Sequence, residues 1–153
     1  MTFHLAQCNI VRLKAPLDSP SVADFVAALE PINALADAAP GFVWRLKTDD
    51  GDATSIRVFD DDQILLNMSV WESMEALKLY VYKSDHKEVL RRRREWADRF
   101  VGVQSAMWWI LAGTVPEPIE AVARLEALGR LGSTEYAFTF QAPFDAPTQS
   151  ASI

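Results

Sequence analysis

The sequence predicts an α+β fold, an antiparallel sheet with helices packed on it, in the element order β–α–β–β–α–β. Three observations carry this reading. Stretches around Phe3 and Ile64 alternate with period two, stretches after Pro20 and Ser84 repeat apolar residues at helical spacing, and short breaks rich in Pro, Gly and Asp separate them.

Residues Phe3 to Leu13 form the first strand, with Phe3, Leu5, Gln7, Asn9 and Val11 on one side and His4, Ala6, Cys8, Ile10 and Arg12 on the other. Ser19-Pro20 then supplies a cap and a proline at the first helical position, and Val22, Phe25, Val26, Leu29, Ile32 and Leu35 follow at helical spacing. Pro31 falls inside this helix and predicts a kink or a restart near Glu30, because proline lacks the backbone donor and crowds the preceding turn. Pro40-Gly41 ends it. Phe42 to Leu46 is a short strand, and Lys47 to Asp62 is a polar excursion in which Ser55 to Phe59 is a candidate extra strand. Ile64 to Trp71 alternates cleanly, Ile64, Leu66, Met68 and Val70 on one face and Leu65, Asn67, Ser69 and Trp71 on the other.

Ser73 to about Val101 is helical in composition, with Ser84 placed to cap a second segment. Gln104 to Ala112 is the next strand. Thr114-Val-Pro-Glu117 has the spacing of a capping box for a helix running to Gly129 or Gly132. Tyr136, Phe138 and Phe140 share one face of a final short strand, and the chain divides into a domain over 1–142 and a flexible tail over 143–153 with little to bury. The order is that of the split βαβ, ferredoxin-like arrangement, which puts helices on one sheet face. With no second helical layer expected, a second copy covers the other face most cheaply, which places Ile64, Leu66, Met68 and Val70 or their opposite-face neighbours in a homodimer seam.

Composition narrows the partners. The 153 residues are 50% hydrophobic and 24% charged with a net charge of −6, so the field of the molecule repels nucleic acid and anionic membrane surfaces. No apolar run reaches membrane-spanning length, and the start of the chain lacks the pattern of a signal peptide, so a cytoplasmic address is expected. One cysteine and two histidines without paired spacing give no basis for zinc, and His4 and Cys8, on one strand face, stand about 13 Å apart. Asp60-Asp61-Asp62 reads as a turn, since it lacks the alternating ligands and glycine of an EF-hand. No nucleophile elbow or phosphate loop is present.

In the segment after Ser84, His86, Val89, Leu90, Arg93, Trp96 and Phe100 fall in one helical stripe. An arginine on an apolar face requires a partner, and for Arg93 this is either a structural carboxylate or an anionic ligand. His86 is either a hydrogen-bonded wall residue or a proton-transfer group. The two stand about 10.5 Å apart along the helix, a span that suits two ends of one cavity. Arg91 to Arg94 fan around the helix and pair with acidic residues four positions away, a solvated face. The five tryptophans imply a large core or an aromatic cavity.

Trp71-Glu72-Ser73, Ala76-Leu77 and Ser84-x-His86 resemble the strand-to-helix signature of the dimeric α+β-barrel superfamily, which includes antibiotic-biosynthesis and haem-degrading monooxygenases. More closely, His4-Leu-Ala-Gln7-x-Asn9, Ile32-Asn33-Ala-Leu35, Gly41-Phe-Val-Trp44-Arg45, Asn67-x-Ser69-Val-Trp71-Glu72-Ser73, Tyr82-x-x-Asp85-His86 and Trp108-Trp109 resemble its branch named domain of unknown function 3291, over about Phe3 to Phe140. The resemblance implies a homodimeric barrel with a cavity between each sheet and its helices, and a small hydrophobic ligand. It implies a cofactor-independent oxygenase or a cyclase/isomerase, with Asn9 as amide donor, Trp71 as ring platform and His86 as base, and with Tyr82 and Trp108 binding substrate, to which the helical stripe adds Arg93 as a further substrate-binding candidate. The alternatives are a haem-binding or haem-degrading protein and a non-catalytic ligand-binding or stress-response barrel. Asn9 and Trp71 match the haem-degrading members by element, whereas His86 falls about one turn before the place of their axial histidine, so no cofactor is the first expectation and haem the second.

Overall fold

The structure, a computed structural model, describes residues 2–15, 19–46, 64–83 and 103–147. Its strands are β1 (Phe3–Arg12), β2 (Phe42–Arg45), β3 (Ile64–Trp71) and β4 (Ser105–Leu111), and its helices α1 (Ala23–Ala38), α2 (Met74–Lys83) and α3 (Pro118–Leu131). A short 3-10 turn at Pro20–Val22 leads into α1, where the Ser19 side chain accepts from the Ser21 amide as the expected cap. The four strands form one antiparallel sheet in the order β2-β3-β1-β4, the ferredoxin-like arrangement, and the protein is of the α+β class. The candidate strand at Ser55 to Phe59, the Asp60 to Asp62 run and the helix carrying His86, Arg91 to Arg94 and Trp96 lie outside the described residues.

Register decides which side chains meet. Leu5 stands opposite Trp71 on β3 and Trp109 on β4, and Gln7 stands opposite Ser69 and Met107, so these residues share one face. On it Leu77 of α2 packs with Leu5, Trp71, Met107 and Phe138 in one apolar cluster. The end of α1 reaches the same side, where Asp37 pairs with Arg45 at 2.8 Å. The opposite face carries Ala6, Cys8, Met68 and Trp108, and α3 lies over it with Ala121, Leu125 and Leu128 turned inward.

This corrects the expectation of an open face. Leu66, Met68 and Val70, from one of the two sets of residues expected in a seam between copies, are buried within a single chain. A 14-residue amphipathic helix following β4 does the covering, so the second layer comes from the same chain.

Three local expectations also change. Helix α1 continues across Pro31 without a break, since a proline removes one hydrogen bond and can be absorbed by a bend. The capping box at Thr114 does not form. Glu117, the residue before Pro118, is the N-cap, extended at φ −99° and ψ 151° without a side-chain cap bond, while the Thr114 hydroxyl donates to the Leu111 carbonyl at 2.6 Å. A residue preceding proline is driven out of the helical region, so Glu117 cannot occupy the third helical position that the box requires. Finally, Tyr136, Phe138 and Phe140 make no strand: Phe138 alone bridges to Met107, because Thr134 turns back to bind the backbone of Tyr136 and Ala137. Helix α3 ends at Gly132, φ +75°, within the range the sequence predicts.

Candidate functional site

The face shared with α2 is apolar except for a strip of polar side chains across its middle. Alternation on β1 points Gln7 and Asn9 to this side, and the register sets Asn9 beside Asn67 of β3 and Ser105 of β4. Ser69 is the one buried polar or charged residue among those described. Its Oγ accepts two hydrogen bonds, from Gln7 Nε2 at 2.7 Å and from Trp71 Nε1 at 2.8 Å. Both lone pairs of the hydroxyl are thereby filled, which locks the Gln7 amide and the Trp71 ring to the same strand.

Trp71 is fully buried, stacked on Tyr80 with centroids 5.1 Å apart and meeting the edge of Phe42 at 5.5 Å. Tyr80 reaches it because α2 starts immediately after β3. The Ser73 hydroxyl caps the helix by accepting from the Ala76 amide at 3.1 Å, and the Glu72 amide donates to the Gly41 carbonyl at 2.8 Å. Burial pushes the Tyr80 hydroxyl up to about 12, the nearby Arg45 opposing and Asp37 adding to the shift, so the phenol is a neutral group at physiological pH. Hydroxyl and amide groups set in an aromatic wall can orient a flat apolar molecule by its oxygen atoms.

A protein-family model, Domain of unknown function (DUF3291), matches residues 4–152. The chain belongs to the DUF3291 family. No curated protein matches it. Solved structures with related folds include a conserved protein from Methanosarcina mazei, 11% identical, covering 71% of this chain and 92% of its own with a TM-score of 0.52. They include a Nitrosomonas europaea protein assigned to the antibiotic biosynthesis monooxygenases, 10% identical over 74% of this chain and 94% of its own, with a TM-score of 0.50. SnoaB, a cofactor-independent oxygenase from Streptomyces nogalater, is 18% identical over 74% of this chain and 98% of its own with a TM-score of 0.49. At these identities the likeness is one of fold.

The DUF3291 chain brings some of the expected residues together and separates others. Asn9 and Trp71 share the face of the polar strip, with Gln7 and Ser69 between them. Trp71 is a packed wall, since Phe42 and Tyr80 occupy its surroundings. Tyr82 is exposed on α2, 6.1 Å from the Phe140 ring. Trp108 pairs with Ala6 and therefore lies on the opposite face, under α3, where the guanidinium of Arg124 sits 5.3 Å from its ring. His86 and Arg93 lie outside the described residues. Sequence reasoning placed Gln7 and Ser69 on the correct faces but did not join them. The available signal was a polar residue on each of two strands, both in phase with Trp71.

Haem does not fit the described residues. A porphyrin requires an open slot and an axial ligand, whereas Trp71 presents no free face and the described histidine, His4, lies on the side of the sheet under α3. Among the described residues no three metal-ligating side chains gather.

Proposed function

We propose that this DUF3291 protein is a small-molecule enzyme of the monooxygenase-like type, a cofactor-independent oxygenase acting on a hydrophobic, oxygen-bearing aromatic, with the polar strip as the floor of its site. The observation that carries this reading is the pair of hydrogen bonds fixing Gln7 and Trp71 on Ser69 within an otherwise apolar face. A polar group is retained in such a place at a desolvation cost, and amides held rigidly there suit the oxygen atoms of a flat substrate. In this reading Asn9 donates to a substrate oxyanion, His86 takes the phenolic proton, and Arg93 holds a second oxygen of the substrate. Dioxygen then accepts the electrons of the substrate anion. One of its oxygen atoms enters the ring as a carbonyl, and the other leaves as water with the two hydrogens lost from the substrate.

The test uses protein stripped of metal and haem, with 1,5-dihydroxynaphthalene as the probe and an oxygen electrode as the readout. Oxygen uptake above the blank is expected, with His86→Ala abolishing it and Asn9→Leu lowering it by roughly a hundredfold, the scale of one lost oxyanion donor. Quenching of tryptophan fluorescence without uptake would leave a binding protein and remove the enzyme. The absence of both would remove the site.

A further inference from the structure

Three buried nitrogens on the α3 side of the sheet have no hydrogen-bond partner among the described residues: Trp108 Nε1, Arg124 Nε and His4 Nδ1. They belong to one place. Trp108 stands opposite Ala6 and Ile110 opposite His4, so His4 and Trp108 are diagonal neighbours on adjoining strands, close enough for two rings to meet. Arg124 comes down on them from α3, its guanidinium carbon 5.3 Å from the centre of the Trp108 ring and 3.8 Å from that of Tyr136. The rest of the guanidinium is committed, one terminal nitrogen donating to the Tyr136 carbonyl at 2.7 Å and the other to Glu120 Oε2 at 2.8 Å. These two bonds hold the Nε–H in a fixed direction. A folded chain rarely buries such donors unanswered, and two of them on side chains that touch mark a position where an acceptor from outside the chain binds.

The chemistry of the donors selects the occupant. An indole N–H and a guanidinium N–H donate and never accept, so the complementary group is an acceptor, and a carbonyl oxygen has one lone pair for each. His4 Nδ1, which can give or take a hydrogen bond, adapts to whatever flanks that oxygen. The ligand is neutral, because Glu120 already balances the charge of Arg124 and a further carboxylate here would be buried with no net charge against it. Its body has a place to lie. Tyr136, stacked on Arg124, is also a wall of an open groove of about 350 Å³ whose other sides include Ala123, Ala127 and Leu131, with Ala127 one helical turn beyond Arg124. We propose that Trp108, Arg124 and His4 form a second small-molecule site, on the opposite side of the sheet from the polar strip, that binds the carbonyl oxygen of a neutral, largely apolar compound.

Proton–nitrogen NMR of the full chain titrated with cyclohexanone tests it, since the Trp108 indole N–H and the Arg124 Nε–H each give a signal of their own and the probe has no ring current to displace them. The expected result is a saturable downfield shift of both signals with a single Kd of roughly 10 mM or below, while the Trp71 indole, already held by Ser69, stays in place. Cyclohexanecarboxylate should move neither signal. Arg124→Lys keeps the charge and loses the Nε donor, and should weaken binding at least about tenfold, read on the Trp108 indole after circular dichroism has shown the fold intact. The titration of the unaltered chain decides alone where that variant does not fold. Signals that do not shift, the result of a buried water alone on these donors, would overturn the proposal. So would shifts at the Trp71 indole instead, an equal response to the carboxylate, or undiminished affinity in a folded Arg124→Lys.

Discussion

Cys8 is fully buried on β1, and burial raises its thiol from 9.0 to about 12 despite an opposing hydrogen bond with the Ala106 backbone. Tyr80 is raised from 10.0 to about 12 in the same way. Both groups are neutral when protonated, so the sign follows directly. Above about pH 9 the unfolded chain releases the Cys8 proton and above about 10 the Tyr80 proton, while the folded chain keeps both until about 12. The unfolded state then binds fewer protons, and stability, at full value below pH 9, declines as pH climbs toward 12. Urea unfolding followed from about pH 8 to about pH 11 should show this fall. Cys8→Ala should flatten its lower part and Tyr80→Phe its upper part. An unchanged slope in both variants would mean that neither group is shielded. The same burial makes Cys8 a poor nucleophile in the native state, which removes it from the chemistry of the site.

At the scale of elements, two glycines with left-handed backbones separate two kinds of constraint. Gly41 has φ +82°, and a Cβ there would lie 2.5 Å from the Ala76 Cβ of α2. Gly113 has φ +92° with nothing within 4 Å. Gly113→Ala should therefore cost only the backbone term, roughly 1–2 kcal/mol. Gly41→Ala adds a clash that pushes α2 off β2, for a total of roughly 2–5 kcal/mol. Thermal melts of the two variants check the difference, and equal losses would mean that α2 shifts freely. Such distinctions were only partly legible in the sequence. The limits of β3 could be read from alternation between Asp62 and Ser73, and Gly129 and Gly132 offered two ends for α3, of which the structure uses the second. The capping-box spacing alone misplaces the start of α3, because a residue before proline avoids the helix. Parity within β4 shows that Trp108 and Trp109 face opposite ways, but only the register with β1 shows that Trp109, not Trp108, shares the face of Asn9. Likewise Ala121, Leu125 and Leu128 announce an apolar stripe without saying which surface it covers.

At the scale of the whole molecule the sheet is a middle layer with both faces in use, one for the polar strip and one for the α3 clamp. Leu125→Ala, at the centre of that clamp, should cost about 2–5 kcal/mol. It should lower a single unfolding transition, read together by far-ultraviolet circular dichroism and tryptophan fluorescence, because α3 and β4 share one core. Two separated transitions would show that α3 comes off alone. The strand order β2-β3-β1-β4 has a further consequence for the birth of the protein. Strand β1 is an inner one made before both of its neighbours, and Leu5 must wait for Trp109, roughly a hundred residues downstream, before its second neighbour exists. At about 5–20 residues per second, synthesis leaves that interval at roughly 5–20 s. Throughout it the ribosome carries an apolar strand with an unpaired edge, so the nascent chain, rather than the finished fold, is where this protein has most need of a chaperone.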